Sequence, residues 1–283
     1  MADTQRNLGD TSMGDSPAEK AVFRRYREAA AVGPWNTTIA TLLAHRSVRA
    51  YLPAPLPEGT VETLVAAASS APTSSNLQAW SVVAVTDPER RARLAAIAGN
   101  QRHIIDAPLI LVWVADLSRA QRIGDAAGVR MEGLDYTETF LLASMDAMLA
   151  AQNALVAAES LGLGTVFIGA LRNDPEAVAD LLRLPPRAYA VAGLVVGLPD
   201  PAVQTAVKPR LPQSAVLHRE CYGAEDPETL RAHDRATGAF RAEQVLSRQG
   251  WTDLVLSRLQ TAQGLSGRHV LKSVLGRLGF PLH

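Results

Sequence analysis

The sequence of 283 residues has a single cysteine, few aromatic residues (5%) and no excess of charge of either sign. Cys221 alone cannot form an intramolecular disulfide, which favours a reducing compartment and predicts a cytoplasmic protein. Lys and Arg together number 28, as do Asp and Glu, so the chain has no overall field that attracts nucleic acid or an anionic membrane. Any anion must therefore be bound by a local cluster of cations.

The sequence also lacks a long, uniformly apolar run. Its most apolar stretch, residues 139–163, contains Ser144, Asp146 and Glu159, which a lipid-spanning helix rarely tolerates together. The first 16 residues lack the basic start and apolar run of a secretory signal, and their Asp, Thr, Ser and Gly content predicts a disordered tail. We therefore expect no membrane partner.

Motifs for metal or nucleophilic chemistry are missing as well. The six histidines do not pair with carboxylates or thiols at ligand spacing, and the lone pair His218 and Cys221 is typical of a structural role. No serine stands in a Gly-x-Ser-x-Gly elbow. We predict no metal site, and if the protein is an enzyme the difficult chemistry should belong to a cofactor.

With 47% hydrophobic residues the chain can bury a large core, and its pattern predicts alternating helices and strands. A capping box at Ser16 and Glu19 predicts a helix that runs to Gly33. A long helix, buried nearly all round, is predicted from Tyr136 to Gly162, and residues 118–133 are interpreted as a polar excursion. Strands are predicted at 80–85, 109–115, 165–168 and 190–196. Further helices are predicted at 60–68, 227–248, 252–260 and 267–278, from Asp87 to Gly99, and after Asp174, and one short helix is predicted to end near His45.

Two short basic segments are candidates for binding a phosphate. The run His45-Arg46-Ser47-Val48-Arg49 lies at the junction of a helix and an extended stretch, and it joins cationic groups to a hydroxyl. In Lys208-Pro209-Arg210, the proline stiffens the backbone between two cations. The alternative is that each segment is a solvated surface loop.

Three other segments offer groups to a flat heterocycle. The loop with Ser74, Ser75, Asn76 and Gln78 could hydrogen-bond the edge of a ring, or it could be ordinary turn chemistry. Gln101-Arg102-His103 offers a second such edge. The glycines of residues 162–169 follow a helix and precede a strand, the wrong order for a dinucleotide loop, but a strand ending in Gly169 lets a ligand approach the main chain.

Several motifs follow one another along the chain: His-Arg-Ser-x-Arg, Ser-Ser-x-Leu-Gln, Gln-Arg-His, Ala-Gln-Asn-Ala-Leu-x-Ala-Glu-Ser-Leu-Gly-Leu-Gly with Phe-Ile-Gly and Leu-Arg-Asn, and Lys-Pro-Arg-Leu-Pro. Taken in this order, they resemble the flavin-dependent nitroreductase superfamily. The resemblance is closest to the major oxygen-insensitive NADPH nitroreductases and NADPH:FMN oxidoreductases, and it covers about residues 37–222. It implies an α+β fold with a central mixed β-sheet flanked by helices, in a homodimer that binds FMN at the subunit interface. Residues 1–36 would be a tail plus an N-terminal extension helix, and residues 37–283 the FMN-binding domain, with a C-terminal helical excursion at 224–283.

The resemblance also assigns roles to residues. Those implied to surround the FMN phosphate are His45, Arg46, Ser47, Lys208 and Arg210. Arg49 is implied at the pyrimidine edge of the flavin, Ser74, Ser75 and Gln78 at the ribityl chain and ring edge, Gln101 at the ring, and Ile168 and Gly169 on its other side near N5. Arg248 and Arg268 are implied to meet the 2′-phosphate of NADPH, and no residue is needed as a catalytic acid or base.

The implied activity is that of an FMN-dependent oxidoreductase. It would transfer hydride from NADPH to a small-molecule acceptor, a nitroaromatic, a quinone or free flavin, by a ping-pong mechanism. The alternatives are a flavin-binding or redox-sensing module without turnover and a dedicated flavin reductase. Asn76, in place of a bulky aromatic, and the extra residues at 128–133 distinguish this sequence from the family pattern.

Overall fold

The structure, a computed structural model, describes residues 16–283. The predicted disordered tail thus falls almost wholly outside the described residues. The helices are α1 (Pro17–Tyr26), α2 (Thr37–Ala44), α3 (Thr60–Ser69), α4 (Pro88–Ile97), α5 (His103–Asp106), α6 (Ser118–Ala127), α7 (Thr137–Ser160), α8 (Pro175–Leu182), α9 (Gln213–Val216), α10 (Pro227–Glu243), α11 (Trp251–Leu259) and α12 (Leu271–Arg277). The strands are β1 (Trp80–Val85), β2 (Leu109–Asp116), β3 (Gly164–Ile168) and β4 (Ala188–Gly197).

The chain divides into two compact units, each built from two separate stretches of sequence. The helical unit comprises the residues up to Arg46 and Ala206–Gln260, and the sheet unit comprises Ser47–Thr205 and Thr261–His283. The division predicted at residue 36 stays a prediction.

The sheet unit contains a four-stranded sheet in the order β1-β2-β4-β3. Each neighbouring pair is antiparallel, with Leu109 opposite Val196 and Gly164 opposite Gly197. The prediction of a mixed sheet is therefore wrong for these strands, because β4 runs antiparallel to both of its neighbours, β2 and β3, and β1 runs antiparallel to β2. Among the described residues, parallel pairing is confined to an isolated bridge between Ser47 and Thr165.

Strand β2 lies at the centre of the core and is buried along its whole length. Because successive side chains of a strand point to opposite faces, β2 contributes to two hydrophobic layers. Leu109, Leu111 and Trp113 pack with the layer of α3 and α7, whereas Ile110 and Val112 pack with the layer of α4, α5 and α8. The sheet is thus covered by helices on both faces.

Helix α7 confirms the predicted long helix to within two residues at each end. Alanines on its inner side, among them Ala150, Ala151 and Ala154, are fully buried and allow close packing on the sheet. Burial all round is wrong, because Leu141, Met145 and Leu149 are 48%, 56% and 45% exposed along one face. Among the described residues, α7 is the one helix with the length and hydropathy to cross a membrane, a property that it shares with core helices.

The helical unit begins with α1, which has the predicted capping box but ends at Tyr26 instead of Gly33. Arg27 adopts a left-handed conformation (φ 58°), and its N–H donates to the Phe23 carbonyl. Its guanidinium pairs with Glu243 at 2.8 Å, and it lies 5.7 Å from the centroid of the Phe240 ring. These tertiary contacts with α10 end the helix earlier than local propensity predicts.

The strand predictions are confirmed at all four positions, with boundaries shifted by two residues or fewer. Besides the end of α1, two predictions about helices are wrong. Residues 118–133, interpreted as a polar excursion, include α6, and the helix predicted to reach Arg248 ends at Glu243. A polar, amphipathic helix such as α6 is easily mistaken for a loop, since it contributes few side chains to the core.

Candidate functional site

Arg25 brings the two basic segments together within the helical unit. Its guanidinium is buried, with the residue only 7% exposed, and it donates hydrogen bonds to the carbonyl oxygens of Leu43 and His45 at 2.8 Å. It also donates to the carbonyl oxygen of Lys208 at 2.9 Å. The N–H of Arg210 donates to the Arg25 carbonyl at 2.9 Å. One residue therefore fixes the main chains of both segments.

The local sequence explains why Arg25 points inward. Ala21, Val22 and Arg25 lie three and four residues apart and form the buried face of α1. Leu43 and His45 are at the C-terminal end of α2, where helical carbonyls have no partner within the helix. A cation there also interacts favourably with the helix dipole, so Arg25 satisfies and stabilises the end of α2.

Most of the cationic side chains of these two segments lie at the surface. Arg46, Lys208 and Arg210 are exposed, and His45 is half-buried. With Arg25 beneath them, they form a strongly cationic patch in a chain without net charge. Such a donor set fits the phosphate of FMN, which is close to a dianion and binds guanidinium and ammonium groups.

In the sheet unit, Ser47 and Arg49 are fixed beside strand β3. The residue between them, Val48, is buried and donates its N–H to the Thr165 carbonyl at 2.9 Å. A Cβ at Gly164 would lie 2.8 Å from the Val48 side chain, so only glycine permits this close approach. Ser47 and Arg49 are thereby tied to the strand that ends at Ile168 and Gly169.

Arg49 is also electrostatically coupled to the segment around Gln101. Burial lowers the pKa of His103, and the positive charge of Arg49 lowers it further, against the opposing effect of Asp106. Arg49 itself is exposed. Gln101 donates its Nε2 to the Ala98 carbonyl at 2.9 Å, which leaves its carbonyl oxygen for a ligand. Arg49 is therefore close enough to act electrostatically on His103, two residues from Gln101.

The loop at 73–79 is held in an unusual conformation by a buried aspartate. Ser75, Asn76 and Gln78 all have positive φ, between 49° and 55°, which is costly for residues other than glycine. Asp146 of α7 accepts hydrogen bonds from Thr73 Oγ1 at 2.7 Å, the Ser74 N–H at 3.1 Å and the Ala79 N–H at 3.3 Å. The side chains of Ser74, Ser75 and Gln78 are left exposed for a ligand.

Arg119, from helix α6, holds the same loop from its other end. It donates to the Gln78 carbonyl at 2.9 Å and to Ser81 Oγ at 3.1 Å. Asp116 accepts from Ser81 and Ser118; although its burial opposes ionisation, these hydrogen bonds hold the pKa of Asp116 below its usual value. Gln78 is thus fixed at its carbonyl by Arg119 and at its N–H by Thr73 Oγ1, 2.9 Å away.

At the end of β3, only the main chain can meet a ligand. The Ile168 side chain is 2% exposed and belongs to the core, so the predicted contact of Ile168 falls to its backbone. A Cβ at Gly169 would lie 3.1 Å from the guanidinium of Arg172, which donates to the Val191 carbonyl at 2.6 Å. Glycine at 169 leaves the N–H groups of this turn accessible.

The two arginines predicted to meet NADPH lie in different units. Arg248 is exposed in the helical unit beside Gly238, where a Cβ would lie 3.6 Å from the Arg248 Cγ. Arg268 is in the sheet unit and donates its Nε to Asn173 Oδ1 at 3.1 Å, at a cleft of about 210 Å³ that Arg172 also lines. That Arg248 and Arg268 bind the 2′-phosphate of NADPH stays a prediction.

Four residues that organise these groups were missed by sequence reasoning: Arg25, Thr73, Arg119 and Asp146. For Asp146 a signal existed, because a carboxylate within an apolar helix needs a partner. For Arg25 the signal was a charge on the same helical face as Ala21 and Val22. Within residues 16–283, no group of three or more His, Cys, Asp or Glu side chains is placed to hold a metal ion.

Comparison with known protein families accounts for most of the chain. Residues 42–198 match the Nitroreductase family, and residues 208–283 match the Nitroreductase family, C-terminal domain. The chain belongs to the nitroreductase family. Both phosphate-binding candidates and the loop at 73–79 fall within these matched regions or begin at their edge.

Individual relatives of this nitroreductase-family chain cover it extensively. The FMN reductase (NADPH) of Bacillus subtilis (strain 168) is 37% identical over 228 residues, which are 78% of this chain and 91% of the relative. The NADPH-flavin oxidoreductase of Vibrio harveyi is 37% identical over 238 residues, 83% of this chain and 95% of the relative. Among solved structures, NfrA2 of B. megaterium matches with a TM-score of 0.83 and 34% identity over 88% of this chain and 100% of that chain.

Proposed function

We propose that the protein is an FMN-dependent oxidoreductase that uses NADPH to reduce nitroaromatics, quinones or free flavin. The observation that carries the proposal is the convergence of His45, Lys208 and Arg210 on one buried arginine, in a family that includes proteins named FMN reductase (NADPH) and NADPH-flavin oxidoreductase. When bound, FMN supplies the redox chemistry, because it can accept hydride from a nicotinamide and pass electrons to an acceptor.

In this proposal the basic segments hold the phosphate of FMN. His45, Arg46 and Ser47 provide donors from one segment and Lys208 and Arg210 from the other, so that cations far apart in sequence neutralise one near-dianion. Arg25 supports the arrangement because it fixes the main chains of both segments.

The sheet unit provides the groups for the ribityl chain and the flavin ring. Ser74, Ser75 and Gln78 offer hydroxyl and amide groups from a loop that Asp146 and Arg119 hold in place. Arg49 places a fixed cation where negative charge develops on reduction, and Gln101 accepts or donates at the ring edge. Ile168 and Gly169 offer the main chain at the end of β3.

None of these residues has to act as a catalytic acid or base. The roles of the chain are to bind, to orient and to stabilise charge, while the donor and the acceptor use one slot in turn. For the 2′-phosphate of NADPH, Arg248 and Arg268 are separate candidates, since guanidinium groups bind phosphate in a bidentate manner. The acceptor is a small molecule.

We further propose that the protein is a cytoplasmic homodimer in which α7 forms part of the interface and each FMN lies at the junction of two subunits. The exposed face of α7 carries Leu141, Met145 and Leu149 at a spacing of four residues, so they form one apolar stripe. A second copy of the chain would bury this stripe symmetrically.

The experiment that tests the proposal is an absorbance spectrum of the protein after reconstitution with FMN, followed by anaerobic titration with NADPH and with NADH. We expect a flavin spectrum that bleaches within seconds on addition of NADPH and recovers on addition of a quinone or a nitroaromatic. Protein that stays colourless after reconstitution would refute FMN binding. A bound flavin that stays oxidised for minutes would support the module without turnover.

A further inference from the structure

Helix α1 lies outside the family match and yet reaches the proposed phosphate site. The match begins at residue 42, whereas α1 spans Pro17–Tyr26. Arg25, in its last turn, is 7% exposed and contacts the main chain at Leu43, His45 and Lys208. Two of these contacts, to His45 and Lys208, are with residues whose side chains we assign to the FMN phosphate.

We propose that the N-terminal extension completes the phosphate site through Arg25, which acts as a positioning residue for the cations on both segments. This inference rests on the proposed FMN function. Arg25 does not touch the phosphate in our proposal; it sets the spacing of the residues that do.

The geometry requires an arginine at this position. One guanidinium donates through Nη1 to Lys208 and through Nη2 to Leu43 and His45, so a single planar group spans three acceptors. The three carbonyls belong to segments more than 160 residues apart in sequence. A lysine ammonium has the charge but lacks the planar fork, and it cannot hold all three acceptors in this arrangement.

Arg25 also contacts the Lys208-Pro209-Arg210 segment through its own main chain. The Arg25 carbonyl accepts the N–H of Arg210 at 2.9 Å, so the side chain of Arg25 fixes Lys208 and its main chain fixes Arg210. Pro209, buried between them, removes the remaining backbone freedom of the segment. Both cations of Lys208-Pro209-Arg210 therefore depend on one residue of α1.

Comparison of FMN with riboflavin, which lacks the phosphate, tests this inference. The ratio of the riboflavin Kd to the FMN Kd, measured by fluorescence titration of the full-length apoprotein, reports the contribution of the phosphate alone. We expect Arg25→Met to lower this ratio about tenfold or more, because hydrogen bonds to a charged group are lost on both segments. Arg25→Lys should lower it less, and riboflavin affinity should change by less than about twofold in either variant.

Arg24→Met is the matched control, because Arg24 is exposed on the same turn of α1 and the variant loses the same charge. Arg24→Met should leave the ratio of riboflavin Kd to FMN Kd unchanged. This result distinguishes the positioning of the cations by Arg25 from a long-range attraction of the phosphate to the charge on α1. If Arg25→Met does not fold, as judged by circular dichroism, the ratio in Arg25→Lys decides. If the wild-type protein binds FMN more tightly than riboflavin and the Arg25 variant has the same ratio of riboflavin Kd to FMN Kd, this inference alone is overturned. A wild-type protein that does not bind FMN would overturn the proposed function.

Discussion

At the scale of single residues, Arg49 combines exposure with a fixed position. Its neighbour Val48 is anchored to β3, so the main chain at Arg49 is rigid while the guanidinium remains open to a ligand. The residue can therefore supply a cationic group from a fixed position on the main chain.

We predict that Arg49→Ala lowers the reduction potential of the bound flavin by about 30 mV, equivalent to ~1.4 kcal/mol for a two-electron couple. The cause is the loss of a cation that stabilises the reduced, negatively charged ring. Potentials are measured by anaerobic redox titration against a reference dye. Arg102→Ala is the control, because the Arg102 side chain is 87% exposed and pairs with Asp106 on its own turn; equal shifts in both variants would argue against a specific role for Arg49.

His103 gives a prediction about pH. Burial and then Arg49 lower its pKa in the folded protein, so the neutral imidazole is favoured there. The unfolded chain therefore binds the proton first, and the stability present above the unfolded pKa of ~6.5 is lost as pH falls through the lower folded value. We expect His103→Gln to flatten the fall in free energy of unfolding below pH 6.5, by at most about 1.4 kcal/mol per pH unit.

Urea denaturation at pH 7 and at pH 5.5 measures this effect. His269→Gln serves as the control, since His269 is exposed. A wild-type protein whose stability does not change between the two pH values would contradict the prediction.

At the scale of elements, the loop at 73–79 shows how two helices cooperate to hold strained residues. Three positive φ values within four residues would each cost about 1–3 kcal/mol without support. Asp146 supports the start and the end of the loop, and Arg119 fixes Gln78. The support comes from α6 and α7, which both follow the loop by about 40 residues or more in sequence.

We predict that Thr73→Val weakens FMN binding about tenfold, whereas Thr73→Ser, which keeps the hydroxyl, restores it. The valine removes the hydrogen bond to Asp146 and the acceptor for the Gln78 N–H, and each loss costs about 1 kcal/mol. Titration of the apoprotein with FMN gives the affinities, and thermal unfolding gives the stability. If both variants lose stability equally and bind FMN like the wild type, the loop does not orient the ligand.

Most elements of the sheet unit could be predicted from sequence, because their signals are local. Nearly continuous apolar runs indicate β1 and β2, and caps at Asp87 and Asp174 mark the starts of α4 and α8. The strand directions could not be predicted, since they depend on which strands become neighbours. The end of α1 is set by the contacts of Arg27 with α10, more than 200 residues away.

The candidate site also contains residues that could be predicted from local sequence and residues that could not. Side chains that would touch a ligand stand in recognisable motifs, so the resemblance predicts Arg49, Ser74 and Gln78. The residues that position them, such as Arg25 and Asp146, make long-range contacts and lie outside those motifs. Sequence patterns report the composition of a site, whereas its rigidity depends on contacts between distant segments.

At the scale of the whole molecule, the apolar stripe on α7 predicts self-association. We expect Met145→Glu to convert a homodimer into a monomer, because a charge would be buried at the centre of the interface. Sedimentation or light scattering at micromolar concentration measures the mass. Ile123→Glu, at a residue 62% exposed on α6, is the matched control and should remain dimeric; loss of the dimer in both variants, or in neither, would contradict the proposed interface.

The helical unit is built from two stretches that are far apart in sequence, the residues up to Arg46 and Ala206–Gln260, and this separation affects biosynthesis. Arg25 and Lys208 are 183 residues apart, so a nascent chain presents Arg25, Leu43 and His45 long before the third acceptor has been translated. The strands of the sheet unit, which end at Gly197, are complete by then. Domains fold as their segments leave the ribosome. The contacts of Arg25 with Lys208 and Arg210 therefore form only after residue 210 has been translated, so we expect a chain that stops before that point not to retain FMN.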